Sequence, residues 1–170
     1  LISSNITKTE NINLYINESQ VMVEVDNDVF YSRVIDERFP DFESVIPKDN
    51  NKELIVHRLD LLSTVKRVSV LSNKTTRQIA LNLTKDNIKI TTEDNEKSSK
   101  GFENITGSFT GEDLIIGYNA AYLKDILSHL TTDEVMIKLN SPISAGLFFP
   151  KEQLKDSNLT MLLMPIRLNN

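Results

Sequence analysis

Ile79-Ala80-Leu81-Asn82-Leu83-Thr84-Lys85-Asp86-Asn87-Ile88-Lys89-Ile90 carries apolar side chains at alternate positions on both sides of Lys85, Asp86 and Asn87. Side chains of a strand alternate between the faces of a sheet, so this period of two predicts a hairpin with one buried face. Some way upstream the same pattern runs from Ile12, Leu14 and Ile16 through Asn17, Glu18, Ser19 and Gln20 into Val21, Val23 and Val25. A third strand over residues 29–35 follows the turn Asp26-Asn27-Asp28. A weaker echo runs from Val135, Ile137 and Leu139 through Asn140, Ser141 and Pro142 into Leu147 and Phe149. Recurrence of one strand-turn-strand unit implies a repeated supersecondary module.

Helical spacing separates these hairpins. Over residues 58–71, Leu61, Leu62, Val65 and Val68 share one face, while Ser63, Lys66, Arg67 and Val70 lie opposite. Val70 is apolar where the pattern expects a solvated side chain. In the second helix Asn119 is the N-cap, Leu123, Ile126, Leu127 and Leu130 form the buried stripe, and Lys124, Asp125 and Ser128 face outward. Strands dominate and helices punctuate them, which makes the class α+β with mainly antiparallel sheet.

A chain of 170 residues has room for one ordinary domain, or one plus part of another. There are no cysteines, which excludes disulfides and thiolate-bound metals and fits a cytoplasmic location. No stretch has the roughly 20 apolar residues of a membrane-spanning helix, and no signal segment opens the chain, so a soluble protein without a membrane partner is expected. The net charge of -5 speaks against a protein that grips DNA through bulk phosphate neutralisation. Leu1 stands where an initiator methionine would, and Leu1, Ile2 and Ile6 read as the apolar side of a helix already under way, which suggests a piece of a longer protein.

Two further stretches are informative. Arg38-Phe39-Pro40-Asp41-Phe42-Glu43-Ser44-Val45-Ile46-Pro47 brackets aromatic residues between prolines and reads as an ordered connector. The domain plan is therefore the C-terminal half of one domain over 1–37, a connector over 38–47 and a complete domain over 48–170. The chain closes on Leu162-Leu163-Met164-Pro165-Ile166-Arg167-Leu168-Asn169-Asn170, apolar where termini are usually polar and frayed. Leu162 and Leu163 fit a closing strand, and Pro165 ends its pairing because it lacks a donor.

An enzyme would need convergent acids, bases or metal ligands. His57 and Asp60 lie close together near a helix start, Glu93, Asp94 and Glu96 form an acidic cluster, and His129 is isolated on the flank of the second helix. None has a second ligand set at a recognised spacing. Asp60 reads as a helix cap and the acidic cluster as a solvated turn. There is no glycine-rich phosphate loop. A β-rich structural or adhesion module would account for the hairpins, but not for the tail, connector and helix motifs together.

In order along the chain, the connector, Arg67-Val68-Ser69-Val70-Leu71-Ser72-Asn73, the run from Gly111 to Leu114 with Ile116-Gly117-Tyr118-Asn119, Tyr122, Leu123, Asp125 and Leu127, and finally Met164-Pro165-Ile166-Arg167-Leu168 resemble the bacterial sliding clamp, the beta subunit of DNA polymerase III. That resemblance implies the DNA clamp fold, with antiparallel sheets and two helices per domain, here the end of the second domain and all of the third. It implies a non-catalytic processivity factor without cofactors or metals: a head-to-tail homodimeric ring, placed by a clamp loader, that encircles duplex DNA and tethers a replicative polymerase. Retention by a closed ring needs no tight phosphate contacts, so the acidic charge ceases to be an objection.

The resemblance also implies site residues. Partner peptides with apolar anchors would enter a cleft formed by Pro40 and Val45 of the connector, Ile143 and Ala145 of the late hairpin, and Leu162, Leu163, Met164, Pro165, Ile166 and Arg167 of the tail. Lys66, Arg67 and Lys124 would face DNA, although they also read as ordinary solvated helix positions. Val70 and Leu71 would meet the neighbouring subunit. Two departures from the family pattern stand out: Ser44 replaces a frequent basic residue, and Asn169 and Asn170 extend past the usual terminal leucine.

Overall fold

The computed structural model describes residues 12–39, 41–94, 96–153, 155–156 and 158–168. The chain divides into two compact units between Asp41 and Phe42, inside the connector. Leu1, Ile2, Ile6, Pro40, Asn169 and Asn170 lie outside the described residues.

The first unit holds a three-stranded antiparallel meander, β1 (Asn13–Ile16), β2 (Gln20–Val25) and β3 (Asp28–Arg33). Leu14 pairs with Val23 and Ile16 with Val21, as alternation requires. The third strand stops at Arg33, two residues before the end read from its apolar pattern, and Val34 and Ile35 are exposed. The Val34 amide donates to the Ser19 carbonyl at 2.9 Å.

The second unit begins with a 3-10 turn, Phe42–Val45, followed by β4 (Lys52–His57), α1 (Arg58–Val68), a 3-10 turn Ser69–Leu71, β5 (Gln78–Thr84), β6 (Asn87–Asp94), β7 (Ser99–Thr106), β8 (Ser108–Thr110), β9 (Leu114–Asn119), α2 (Ala120–His129), β10 (Glu134–Leu139), β11 (Gly146–Pro150) and β12 (Met161–Leu163). One sheet has the order β12-β11-β10-β4-β8 and the other β7-β6-β5-β9. Their inner faces and both helices build one core, in which Leu54, Leu61, Ile79, Ile90, Ile116, Leu123 and Leu127 are fully buried. Each such side chain contributes about 1.5–3 kcal/mol. Among the described residues no helix is long and apolar enough to cross a membrane.

Local chemistry explains the helix ends. The Asn119 side chain accepts from the Ala121 amide at 2.9 Å, the capping bond its position predicts. Arg58 opens α1 and donates to the Leu127 and Thr132 carbonyls at 3.2 and 2.8 Å, satisfying acceptors where α2 ends. Asp60 is not the cap it was expected to be. The capping position belongs to His57, which makes no side-chain cap bond, and Asp60 sits in the first turn with its carboxylate 3.3 Å from His57 Nδ1.

Two other expectations are corrected. Ile137 pairs with Phe148, so Phe148 faces the core and Phe149 lies half-buried beneath Lys138. The acidic cluster is not wholly solvated: Asp94 is buried, accepting from the Glu96 amide at 3.1 Å and Asn73 Nδ2 at 3.4 Å, while Glu93 pairs with Lys100.

Tyr118 is buried edge-on against Phe148, ring centroids 6.1 Å apart, and its hydroxyl has no partner among the described residues. Burial pushes that hydroxyl well above the ordinary phenol range. A Cβ placed on Gly146 would lie 2.4 Å from the same oxygen, which explains a glycine in the middle of a packed sheet. Gly146→Ala is expected to cost about 1–3 kcal/mol through overpacking. Tyr118→Phe, which deletes the unpartnered hydroxyl, is expected to be neutral or stabilising by up to about 1 kcal/mol. A double-mutant cycle read by urea melts should show Tyr118→Phe recovering part of the Gly146→Ala loss; strict additivity would mean that the hydroxyl is not what excludes the Cβ.

Candidate functional site

The tail is built from the core outward. β12 pairs with β11, setting Leu163 opposite Gly146 and Leu162 opposite Leu147. Leu163 is buried and Leu162 half-buried, the two faces of one short strand. The pairing ends at Leu163; Met164 then turns outward, 62% exposed, and Pro165, which has no amide to donate, follows it. Beyond it the backbone joins the other sheet, where the Ile166 amide donates to the Gly117 carbonyl at 2.8 Å. The tail thus spans from the edge of one sheet to the edge strand β9 of the other.

Next to the tail, the loop after β10 is clamped by the segment preceding β4. Asn50 Nδ2 donates to the Lys138 and Ala145 carbonyls, each at 2.9 Å. Lys52 Nζ reaches the Asn140 carbonyl at 2.9 Å, and Asn140 Nδ2 donates to Asp49 at 2.8 Å. This fixed loop buries Ala145 and leaves Ile143 61% exposed. Ile143, Arg167 and Leu168 share an open groove of about 810 Å³ with Lys52, Ile115 and Pro142. Of the residues expected to form a cleft, the groove joins Ile143 and Arg167; Val45 is exposed in its 3-10 turn and does not line it.

The three candidate cations have different surroundings. Lys66 is exposed. Lys124 is half-buried, with Nζ 3.5 Å from Ser69 Oγ. Arg67 is engaged by Glu103 of β7: Nε donates to Oε2 at 3.0 Å, Nη2 donates to Oε1, and Thr64 Oγ1 donates to that carboxylate at 3.2 Å. The hydrogen bond from Arg67 lowers the Glu103 carboxyl below the ordinary range, and the reciprocal bond raises the guanidinium.

Val70 is 80% exposed at the end of α1, as its place on the polar face predicts. Leu71 is fastened beneath it: its carbonyl accepts from Ser99 Oγ at 3.1 Å, and its Cδ1 occupies the space a side chain on Gly101 would need. Gly101 and Glu103 of β7 turn toward this helix end, whereas Phe102 between them turns to the opposite face of the sheet, exposed, with Lys89 Nζ 4.8 Å from its ring centre. Sequence reasoning missed Phe102, Glu103 and Asn50, and quoted Gly117 only as part of a motif, with no contact to the tail assigned to it. An exposed aromatic beside an alternating strand could have signalled Phe102; the others depend on contacts between distant segments. Among the described residues no group of three or more His, Cys, Asp or Glu could hold a metal ion.

Glu103 gives a pH test. Because its folded pKa is lowered, its contribution to stability is complete above the unfolded glutamate value, about 4.3, and is lost as pH falls through the lower folded value. Glu103→Gln should therefore lower the melting temperature near neutral pH, and the gap from the unsubstituted chain should close as the solution is acidified. A gap independent of pH would show that the ion pair is not its source.

The family model for the DNA polymerase III beta subunit, C-terminal domain, matches residues 43–167. The chain is 32% identical over 155 residues to the beta sliding clamp of Vibrio cholerae, covering 91% of this chain and 41% of that protein. It is 32% identical over 162 residues to the beta sliding clamp of Haemophilus influenzae, covering 95% and 43%. Among solved structures it is similar to the sliding clamp (DNA polymerase III subunit beta) of Bartonella birtlesii bound to griselimycin, with TM-score 0.85, 29% identity, and coverage of 98% of this chain and 43% of the other. The Pseudomonas aeruginosa sliding clamp bound to griselimycin gives TM-score 0.80, 27% identity, and coverage of 92% and 42%. The chain thus spans about two-fifths of the length of these relatives.

Proposed function

Because this chain belongs to the DNA polymerase III beta subunit family, we propose that it supplies the partner-docking part of a replication clamp: a ring that encircles duplex DNA in the bacterial cytoplasm and tethers a polymerase without chemistry of its own. In this reading residues 1–37 complete a second clamp domain, 38–47 connect, and 48–170 form the third. The observation that carries it is the tail, which holds exposed Met164 between two strand-anchored points, Leu163 and Ile166. Apolar side chains held still in advance lose little freedom when a partner arrives, so a small footprint can bind usefully. Met164 is suited to anchors of several shapes, because its thioether is flexible and polarisable.

The partner peptide would lie on Met164, Pro165, Ile166 and Arg167 with Ile143 alongside, and the family resemblance adds the connector residues Pro40 and Val45. Leu162, Leu163 and Ala145 support that surface from beneath. Val70 and Leu71 form the contact with the next subunit of a head-to-tail dimer, which a clamp loader would open and close. Lys66 and Lys124 face the DNA. Arg67 adds little there, since Glu103 already meets its charge.

Griselimycin, which occupies the Bartonella birtlesii and Pseudomonas aeruginosa clamps, is a suitable probe. Fluorescently labelled griselimycin should bind the chain, and deletion of residues 164–170 should abolish binding; equal binding by both forms would defeat the docking reading. For the DNA face, Lys66→Glu with Lys124→Glu in a ring-forming protein should reduce loading onto circular DNA, most clearly at low salt. Unchanged loading would remove these lysines from the DNA path.

A further inference from the structure

Gly117 is buried in β9 at a backbone angle any residue could adopt, so its lack of a side chain needs another cause. A Cβ built there would lie 2.6 Å from the Ile166 carbonyl oxygen and 2.7 Å from Leu168 Cδ2. Real Cβ atoms do not come this close to a backbone oxygen. Leu168 could rotate away, but the Ile166 carbonyl could withdraw only if the tail moved. The same two residues share the bond from the Ile166 amide to the Gly117 carbonyl, 2.8 Å long. The tail therefore lies flat on β9 because position 117 is bare.

We propose that Gly117 is a positioning residue for partner docking: its bare backbone is the seat that holds Met164, Ile166 and Arg167 in their binding arrangement, with Leu168 closing the seat from above. Met164 and Pro165 cross between the sheets without a strand partner among the described residues. What fixes them is the pairing at Leu163 on one side and the seat at Gly117 on the other. Freeing one end would leave these residues attached but disordered, and a partner would then have to order them at its own expense. The proposal rests on the docking reading above, but the seat itself can be tested without any partner.

In the 170-residue chain, Gly117→Ala should raise the exchange rate of the Ile166 amide at least about tenfold while amides of the β5–β9 pair keep their protection, and should weaken labelled griselimycin binding about tenfold. Leu168→Ala, which empties the seat without adding an atom, should move both readouts in the same direction and serves if Gly117→Ala does not fold. A melting temperature lowered with no selective loss at Ile166 would assign Gly117 to general packing and overturn the seat. A freed Ile166 amide with undiminished griselimycin binding would overturn the role in docking. Should the unsubstituted chain not bind griselimycin while Ile166 still responds, the docking reading fails and the seat stands as a purely structural feature.

Discussion

Two sheets share one core in the larger unit, and the chain must pass between them without leaving backbone polar groups unpaired in the interior. It does so through α1 and α2, through the short links at Gly107 between β7 and β8 and at 111–113 between β8 and β9, and last at Met164 and Pro165. The last passage shapes the candidate docking surface. A strand that simply ended at Leu163 would leave a frayed terminus; one that continued in the same sheet would bury alternate residues. Moving to β9 after a proline instead sets consecutive residues across the junction, with both ends fixed by backbone pairing.

Charge is distributed to match. Arg58 is committed to the end of α2 and Arg67 to Glu103, so two of the cations on α1 hold the fold together. Lys66 remains exposed. On the proposed reading, a sliding ring would gain from a thinly charged interior, since each phosphate neutralised adds to the binding that motion must break. The Arg67–Glu103–Thr64 cluster also fastens α1 to β7, the strand beside Val70 and Leu71.

Much of this was legible wherever a physical period was present. The β5–β6 hairpin alternates cleanly, and its register follows, with Leu81 opposite Ile90 and Leu83 opposite Ile88. In β11 the run Leu147-Phe148-Phe149 has no alternation, so nothing local decided which phenylalanine turned inward. β4 went unread because its apolar run, Leu54-Ile55-Val56, is short and shows no alternation between a polar stretch and a helix, although it lies inside its sheet. β7 was missed for the opposite reason: it is an edge strand, and its residues are largely polar. The tail's closing strand and its proline stop could be read directly, whereas Asn50 reaches acceptors 88 and 95 residues away and Gly117 meets the tail across two sheets. Pairings at that separation leave no trace in any short window.

The open edge of β7 has a colloidal consequence. Among the described strands it pairs with β6 alone, so alternate residues along its length present backbone donors and acceptors on the open side. Such an edge is a template for any other extended chain, and charged side chains are the usual defence. Here that defence is thin, because Lys100 is spent on Glu93 and Glu103 on Arg67. Strand addition at this edge would therefore extend the sheet outward without disturbing the core.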